Sequence, residues 1–178
     1  MLYMFIAPGF EEMEAVGTLD ILRRAELEVK TVGLGGKTVE GSHGISIVCD
    51  LAEGELNLAD AKGIILPGGL PGTLNLEASK TVQDAVKLAV DKGLLISAIC
   101  AAPAFVLGRM GLLKGKKYTC YPSCEQGIEG NYTASRAERD GLIITGRSPG
   151  CVIPFAVEII KATKGNDAAA SVEAALQQ

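Results

Sequence analysis

The sequence predicts an α/β sandwich whose central sheet is mostly parallel and covered on both faces. Two observations carry the prediction. Short strand-like runs alternate with helix-length stretches along the chain. Several of those runs are apolar throughout, as strands buried on both faces are, rather than alternating apolar and polar. No linker-like stretch and no internal repeat interrupts the pattern, so residues 1–178 are expected to form a single domain.

In order, residues 2–7 read as a buried strand. Residues 11–25 read as a helix, with apolar side chains at Met13, Val16, Leu19, Ile21 and Leu22. Residues 28–33 and 45–48 are further strands. Residues 63–66 form a short apolar strand ending in the turn Pro67-Gly68-Gly69. Residues 81–92 are a helix closed by Gly93, a residue type suited to the position after a helix. Residues 94–99 are a strand and 101–110 a helix. Asp140-Gly141 marks a hairpin between strands 135–139 and 142–145. Residues 150–163 are a helix ended by Lys164-Gly165.

Bulk properties exclude several classes. Hydrophobic residues make up 48% and charged residues 21%, a globular and not a disordered composition. A net charge of −4 offers nucleic acid or an anionic membrane surface no electrostatic attraction. No apolar run is long enough to span a bilayer and no basic stretch precedes an apolar one at the start, so a cytoplasmic location is expected. Five cysteines, at 49, 100, 120, 124 and 151, are an odd number, and reduced thiols are expected.

In sheets of this kind ligands sit beyond the carboxyl ends of the strands. Three turns should converge there: Ala7-Pro8-Gly9 with the following acidic residues, Pro67-Gly68-Gly69, and Ile99-Cys100-Ala101. A glycine pair after a strand allows bare N–H groups to approach a reacting oxygen; it also serves as a tight turn and nothing more. In residues 94–103 an apolar strand runs into Cys100 and then into a helix start with Pro103 in its first turn. A cysteine at a helix N-terminus is expected to favour its reactive thiolate, while the plainer alternative is a buried, inert thiol. Cys120 and Cys124 are too few for a metal site without nearby histidine or carboxylate and read as small packed hydrophobes, although either could resolve an oxidised Cys100. No metal and no cofactor is expected.

Four spaced motifs carry a resemblance: Ala-Pro-Gly-Phe-Glu-Glu-Met-Glu (7–14), Leu-Pro-Gly-Gly (66–69), Ala-Ile-Cys-Ala-Ala-Pro (98–103) and Ser-Pro-Gly (148–150). Together they resemble the ThiJ/PfpI superfamily, in particular its DJ-one branch, that of the Parkinsonism-associated deglycase, along nearly the whole chain. The resemblance implies a flavodoxin-like three-layer sandwich and a homodimer. It implies that Cys100 is an oxidation-prone nucleophile, that Glu14 is the acidic residue bonded to it, and that Gly69 and Ala101 offer N–H groups to the reacting oxygen. Gly68, Tyr121 and Pro149 become candidates for substrate binding, and Arg24 and His43 candidates for contacts at the dimer side.

A carboxyl group packed beside a thiolate should have its pKa raised by burial and like charge, which makes Glu14 a proton donor near neutral pH. Its other reading is a solvated acid in a first helical turn. The chain departs from the family in one respect. Where members often carry a histidine near the cysteine, Tyr118-Thr-Cys-Tyr-Pro122 has Tyr121, and the residue after Cys100 is Ala101. His43, the one histidine, lies in a loop, where it is either solvated or part of the dimer side. A Cys-His-acid triad within one subunit is not expected from these residues, which counts against general peptidase activity.

Two functions are expected to compete. One is a cofactor-free enzyme on small reactive carbonyls such as methylglyoxal, or on glycated amines, with lactate as product. The other is a redox sensor or protective chaperone acting through a Cys100 sulfinate. A thiamine-pathway role finds no phosphate loop or Mg²⁺ constellation here.

Overall fold

Seven strands form the central sheet in the computed structural model, which describes residues 1–177. They are β1 (Leu2–Ile6), β2 (Val29–Gly33), β5 (Leu51–Ala52), β6 (Gly63–Leu66), β7 (Leu95–Ile99), β10 (Ala137–Asp140) and β11 (Ile143–Gly146), in the order β10-β11-β7-β6-β1-β2-β5. Every neighbouring pair is parallel except β10–β11, the hairpin expected at Asp140-Gly141. Two small pairs, β3 (Thr38–Glu40) with β4 (Ser46–Val48) and β8 (Lys117–Tyr118) with β9 (Asn131–Tyr132), lie outside it.

Alternation along β1 decides which layer each side chain joins. Leu2, Met4 and Ile6 face a layer that packs with α1 (Glu12–Arg24), α4 (Val152–Lys164) and α5 (Asn166–Ala175). Tyr3 and Phe5 face the opposite layer, with α2 (Gly72–Ala78), α3 (Lys80–Lys92) and a π-helical segment, Pro103–Gly108. Both faces of the sheet are therefore covered, and the strands need no polar side. Burying a leucine or isoleucine of this kind contributes about 1.5–3 kcal/mol, so the aliphatic core suffices without tryptophan.

The helix boundaries have local causes. Ser79 caps α3 by accepting the N–H of Val82, and Gly93 ends it at φ 63°. Gly165, at φ 88°, breaks the chain between α4 and α5. The regular helix expected over residues 101–110 is instead the π-helical segment beginning at Pro103. Elements α2 and α5 and strands β3, β5, β8 and β9 were not anticipated. Among the described residues no helix is long and apolar enough to cross a membrane.

Connections reverse direction between β1 and β6. From β1 the chain moves outward to β2 and β5; from β6 it moves the other way through β7 to β11. The crevice above such a reversal is where doubly wound sheets place their ligands.

Candidate active site

The turns at the ends of β1, β6 and β7 are tied together by main-chain bonds. Glu11 N–H donates to Gly68 O at 2.9 Å and Gly72 N–H to Gly9 O at 3.0 Å. Cys100 N–H donates to Gly146 O at 2.9 Å, and Tyr121 N–H to Cys100 O at 2.8 Å. Cys100 sits at φ 65°, a left-handed conformation that costs a side-chain-bearing residue about 1–3 kcal/mol. The surrounding bonds hold it there, and the sulfur is turned off the strand direction.

Glu14 lies in the first turn of α1 and is fully buried. Its Oε2 accepts the Gly68 N–H at 2.8 Å, and the carboxyl group lies beside Cys100. Its Oε1 is buried without a partner, which penalises the ionised form. Burial, helped by the charge of Glu11, pushes the Glu14 pKa up to about 7 against the bonds from Cys100 and Gly68 that lower it. Glu14 is therefore a buried acid with a raised proton affinity, and the solvated reading of it is excluded.

The expectation for Cys100 needs correction. No long helix follows it to favour a thiolate. Burial first, then the charge of Glu14 and the hydrogen bond to it, push the thiol well above its ordinary range. The backbone N–H groups of Ala101 and Gly69 beside it pull the other way. Two of these three upward influences belong to an ionised Glu14. When Glu14 holds the proton its charge vanishes and its O–H becomes a donor to sulfur. Each group thus raises the other's proton affinity when charged, and the thiolate forms most readily while Glu14 is neutral.

Glycine is required at both positions of the Gly68-Gly69 turn. A Cβ on Gly68 would lie 2.5 Å from Glu14 Oε2 and 2.6 Å from Cys100 Cβ. Gly69 has φ 96°, and a Cβ there would strike the main chain of Phe10 at 2.6 Å. Gly68 spends its N–H on Glu14 and does not line the cavity, so the structure gives it a positioning part instead of the expected contact with substrate.

A cavity of about 360 Å³ opens over the sulfur, lined by Glu11, Gly69, Leu70, Cys100, Ala101, Tyr121, Cys124 and Pro149. Tyr121 and Pro149 are thus where the sequence placed them. Leu70 was missed, while Glu11 was named only within the acidic run after Gly9 and Cys124 only as a thiol able to resolve an oxidised Cys100. Glu11 had a signal, since it stands in the same acidic run as Glu14. Cys124 is half-buried on the cavity wall, whereas Cys120 is sealed in the core. Arg24 does not reach the cavity: its Nε pairs with Asp20 at 2.8 Å on the exposed side of α1. His43 is not a free loop residue. Its Nδ1 lies 2.8 Å from Glu12 Oε2, and its backbone N–H donates to Glu12 Oε1 at 2.7 Å.

Comparison with known proteins gives the family and the fold. A model of the DJ-1/PfpI family matches residues 1–162. Protein DJ-1 homolog B from Arabidopsis thaliana is 38% identical over 96% of this chain, which spans 40% of that protein's length. Glutathione-independent glyoxalase DJR-1.2 from Caenorhabditis elegans is 32% identical, the match covering 87% of this chain and 83% of that one. Among solved structures, a mutant of a DJ-1 superfamily protein from Salmonella typhimurium superposes with a TM-score of 0.94 at 35% identity, covering 99% of this chain and 97% of that one. An oxidised DJ-1 from Toxoplasma gondii gives 0.91 at 31% identity, covering 99% and 97%.

Proposed function

Because this chain belongs to the DJ-1/PfpI family, we propose that it is a cysteine-dependent enzyme acting on small reactive carbonyls or their adducts with amines. The observation that carries the reading is a cysteine on the wall of a small cavity with a buried acid of raised pKa, Glu14, behind it. The glyoxalase name of the Caenorhabditis elegans relative supports the same chemistry.

With methylglyoxal as substrate, the thiolate of Cys100 attacks the aldehyde carbon while the proton on Glu14 passes to the carbonyl oxygen. The product is a hemithioacetal and a Glu14 carboxylate. As negative charge leaves sulfur for oxygen, the N–H groups of Gly69 and Ala101 are the adjacent donors. The Glu14 carboxylate next removes the hydrogen from the former aldehyde carbon, and a proton returns to the neighbouring carbon through the enediol. The substrate is thereby oxidised at one carbon and reduced at the next, giving a lactoyl thioester with no outside oxidant. Water cleaves the thioester to lactate and restores the thiol. From a glycated amine, sulfur displaces the amine, which leaves with the proton from Glu14, to give the same hemithioacetal, and water again cleaves the thioester formed from it.

The test is lactate formation from methylglyoxal by the wild type and by Cys100→Ala, with buffer-catalysed adduct reversal subtracted. Turnover that persists in Cys100→Ala removes the cysteine from the reaction and the proposal with it.

A second reading draws on Cys100 and Cys124 opening to one cavity, and on a neutral Glu14 able to bond a sulfinate. It makes Cys100 a redox sensor with little turnover, detected as sulfinate formed at peroxide doses that leave lactate production negligible. A homodimer fits either reading. Met13, Val16 and Ile45 are exposed apolar residues around one groove on the α1 face, which Ile153 and Leu176 complete.

A further inference from the structure

Beside the cysteine cavity, four polar side-chain atoms meet where the start of α1 faces the loop before β4. His43 Nδ1 lies 2.8 Å from Glu12 Oε2 and 3.4 Å from Glu11 Oε2. Ser42 Oγ lies 3.1 Å from His43 Nδ1, 3.3 Å from Glu12 Oε2 and 3.4 Å from Glu11 Oε2. Five of the six edges of this four-atom figure are therefore 2.8–3.4 Å, and the sixth, between the two carboxylates, is within 4.8 Å. Four ligands placed tetrahedrally at about 2.0 Å from a zinc-sized ion stand roughly 3.3 Å apart. Five of the six donor separations already lie near that spacing.

Anchoring and charge point the same way. Glu12 is buried, and its Oε1 accepts the N–H groups of His43 at 2.7 Å and Ile45 at 3.4 Å, which leaves Oε2 facing the cluster. Glu11 adds a second carboxylate. Among the described residues the ion-pair partner of both is the exposed imidazole of His43, with no lysine or arginine.

We propose that Glu11, Glu12, His43 and Ser42 bind a divalent first-row metal ion of zinc or cobalt type. One imidazole nitrogen with carboxylate and hydroxyl oxygens is a donor set such ions accept. Glu11 and Pro149 line both this pocket and the Cys100 cavity, so the ion sits on their common wall.

Cobalt(II) is the probe. Tetrahedral cobalt absorbs in the visible, and ligation by a thiolate adds a sulfur-to-metal band in the near ultraviolet. The full chain, kept reduced by a phosphine, is titrated beside His43→Ala, Glu11→Gln and Cys100→Ser, with circular dichroism as the check on folding. Glu12 is left intact because it also holds two backbone N–H groups. The expected result is a visible band saturating at one cobalt per chain, without the sulfur band, bleached by zinc and retained in Cys100→Ser. Affinity should fall by at least about tenfold in His43→Ala and in Glu11→Gln. No visible band at millimolar cobalt, a sulfur band, or binding unchanged in either ligand variant would overturn the proposal.

Discussion

Cys100 and Glu14 cannot be described one at a time. The charge on one sets the proton affinity of the other, so Glu14→Gln, which removes the charge and keeps a donor, should lower the thiol pKa of Cys100. Iodoacetamide alkylation against pH measures it; a pKa at or above that of the wild type would show that Glu14 does not press on the sulfur. The same variant should lose turnover, because an amide cannot carry the proton. A second thiol has a claim to reactivity. Although burial works upward, Ser148, Arg136 and Arg147 draw the Cys151 thiol below its ordinary value, yet it is only 2% exposed against 9% for Cys100. Access should decide, and mass spectrometry after mild peroxide should find sulfinate on Cys100 first. At Tyr121, which stands on the cavity wall and is 48% exposed, a phenol donates but is a poor base at neutral pH. Tyr121→His should raise carbonyl turnover between about pH 6 and 8, where imidazole accepts protons. An unchanged rate there, with turnover abolished in Tyr121→Phe, would make the phenol itself catalytic.

The first turn of α1 carries an acid, Glu14, that the fold pays to bury. Its folded pKa of about 7 lies above the ordinary carboxyl value of 4.5, so folding favours the protonated form. The group's contribution is fully present below about pH 4.5 and is lost as pH rises through 7, by about 3 kcal/mol in all. Denaturant unfolding should therefore show the stability of wild type minus Glu14→Gln falling across that window. Other carboxylates, including Glu12 and Asp50 with lowered values, cancel in the difference. A flat difference would mean that Glu14 is not buried as described. The elements missed in the sequence are those with weak local signals. Helix α2 has seven residues and begins at a glycine, and β5, β8 and β9 have two residues each. Such segments are too short for a periodicity to be read, and they exist because tertiary neighbours complete their hydrogen bonds. Helix α5 is long enough, but its alanine-rich run Asp167-Ala-Ala-Ala170 has little amphipathic contrast; Ala169 and Val172 are buried against α4.

At the scale of the whole molecule the apolar groove on the α1 face is the feature left open. Met13 is 62% exposed and Ile45 58%, beside the start of α4. Covering it with a second copy should make the protein a dimer in solution, and Val16→Glu should shift sedimentation toward the monomer without loss of helical signal. A wild type that sediments as a monomer at all concentrations would leave the groove without that partner.

The layered fold, the hairpin and the cysteine turn were legible in the sequence because each rests on local patterning: apolar strand runs, Asp140-Gly141, and the residues flanking Cys100. The motifs around them were enough to single out Glu14, Gly69, Tyr121 and Pro149. What only the tertiary structure decided is the electrostatics. Whether Cys100 is thiol or thiolate depends on a carboxyl group 86 positions earlier in the chain and on how much water reaches both. The pairing of His43 with Glu11 and Glu12 likewise depends on a loop folding back across the start of α1. Proton affinity is set by desolvation and by charges close in space, and neither is a property of neighbours in sequence.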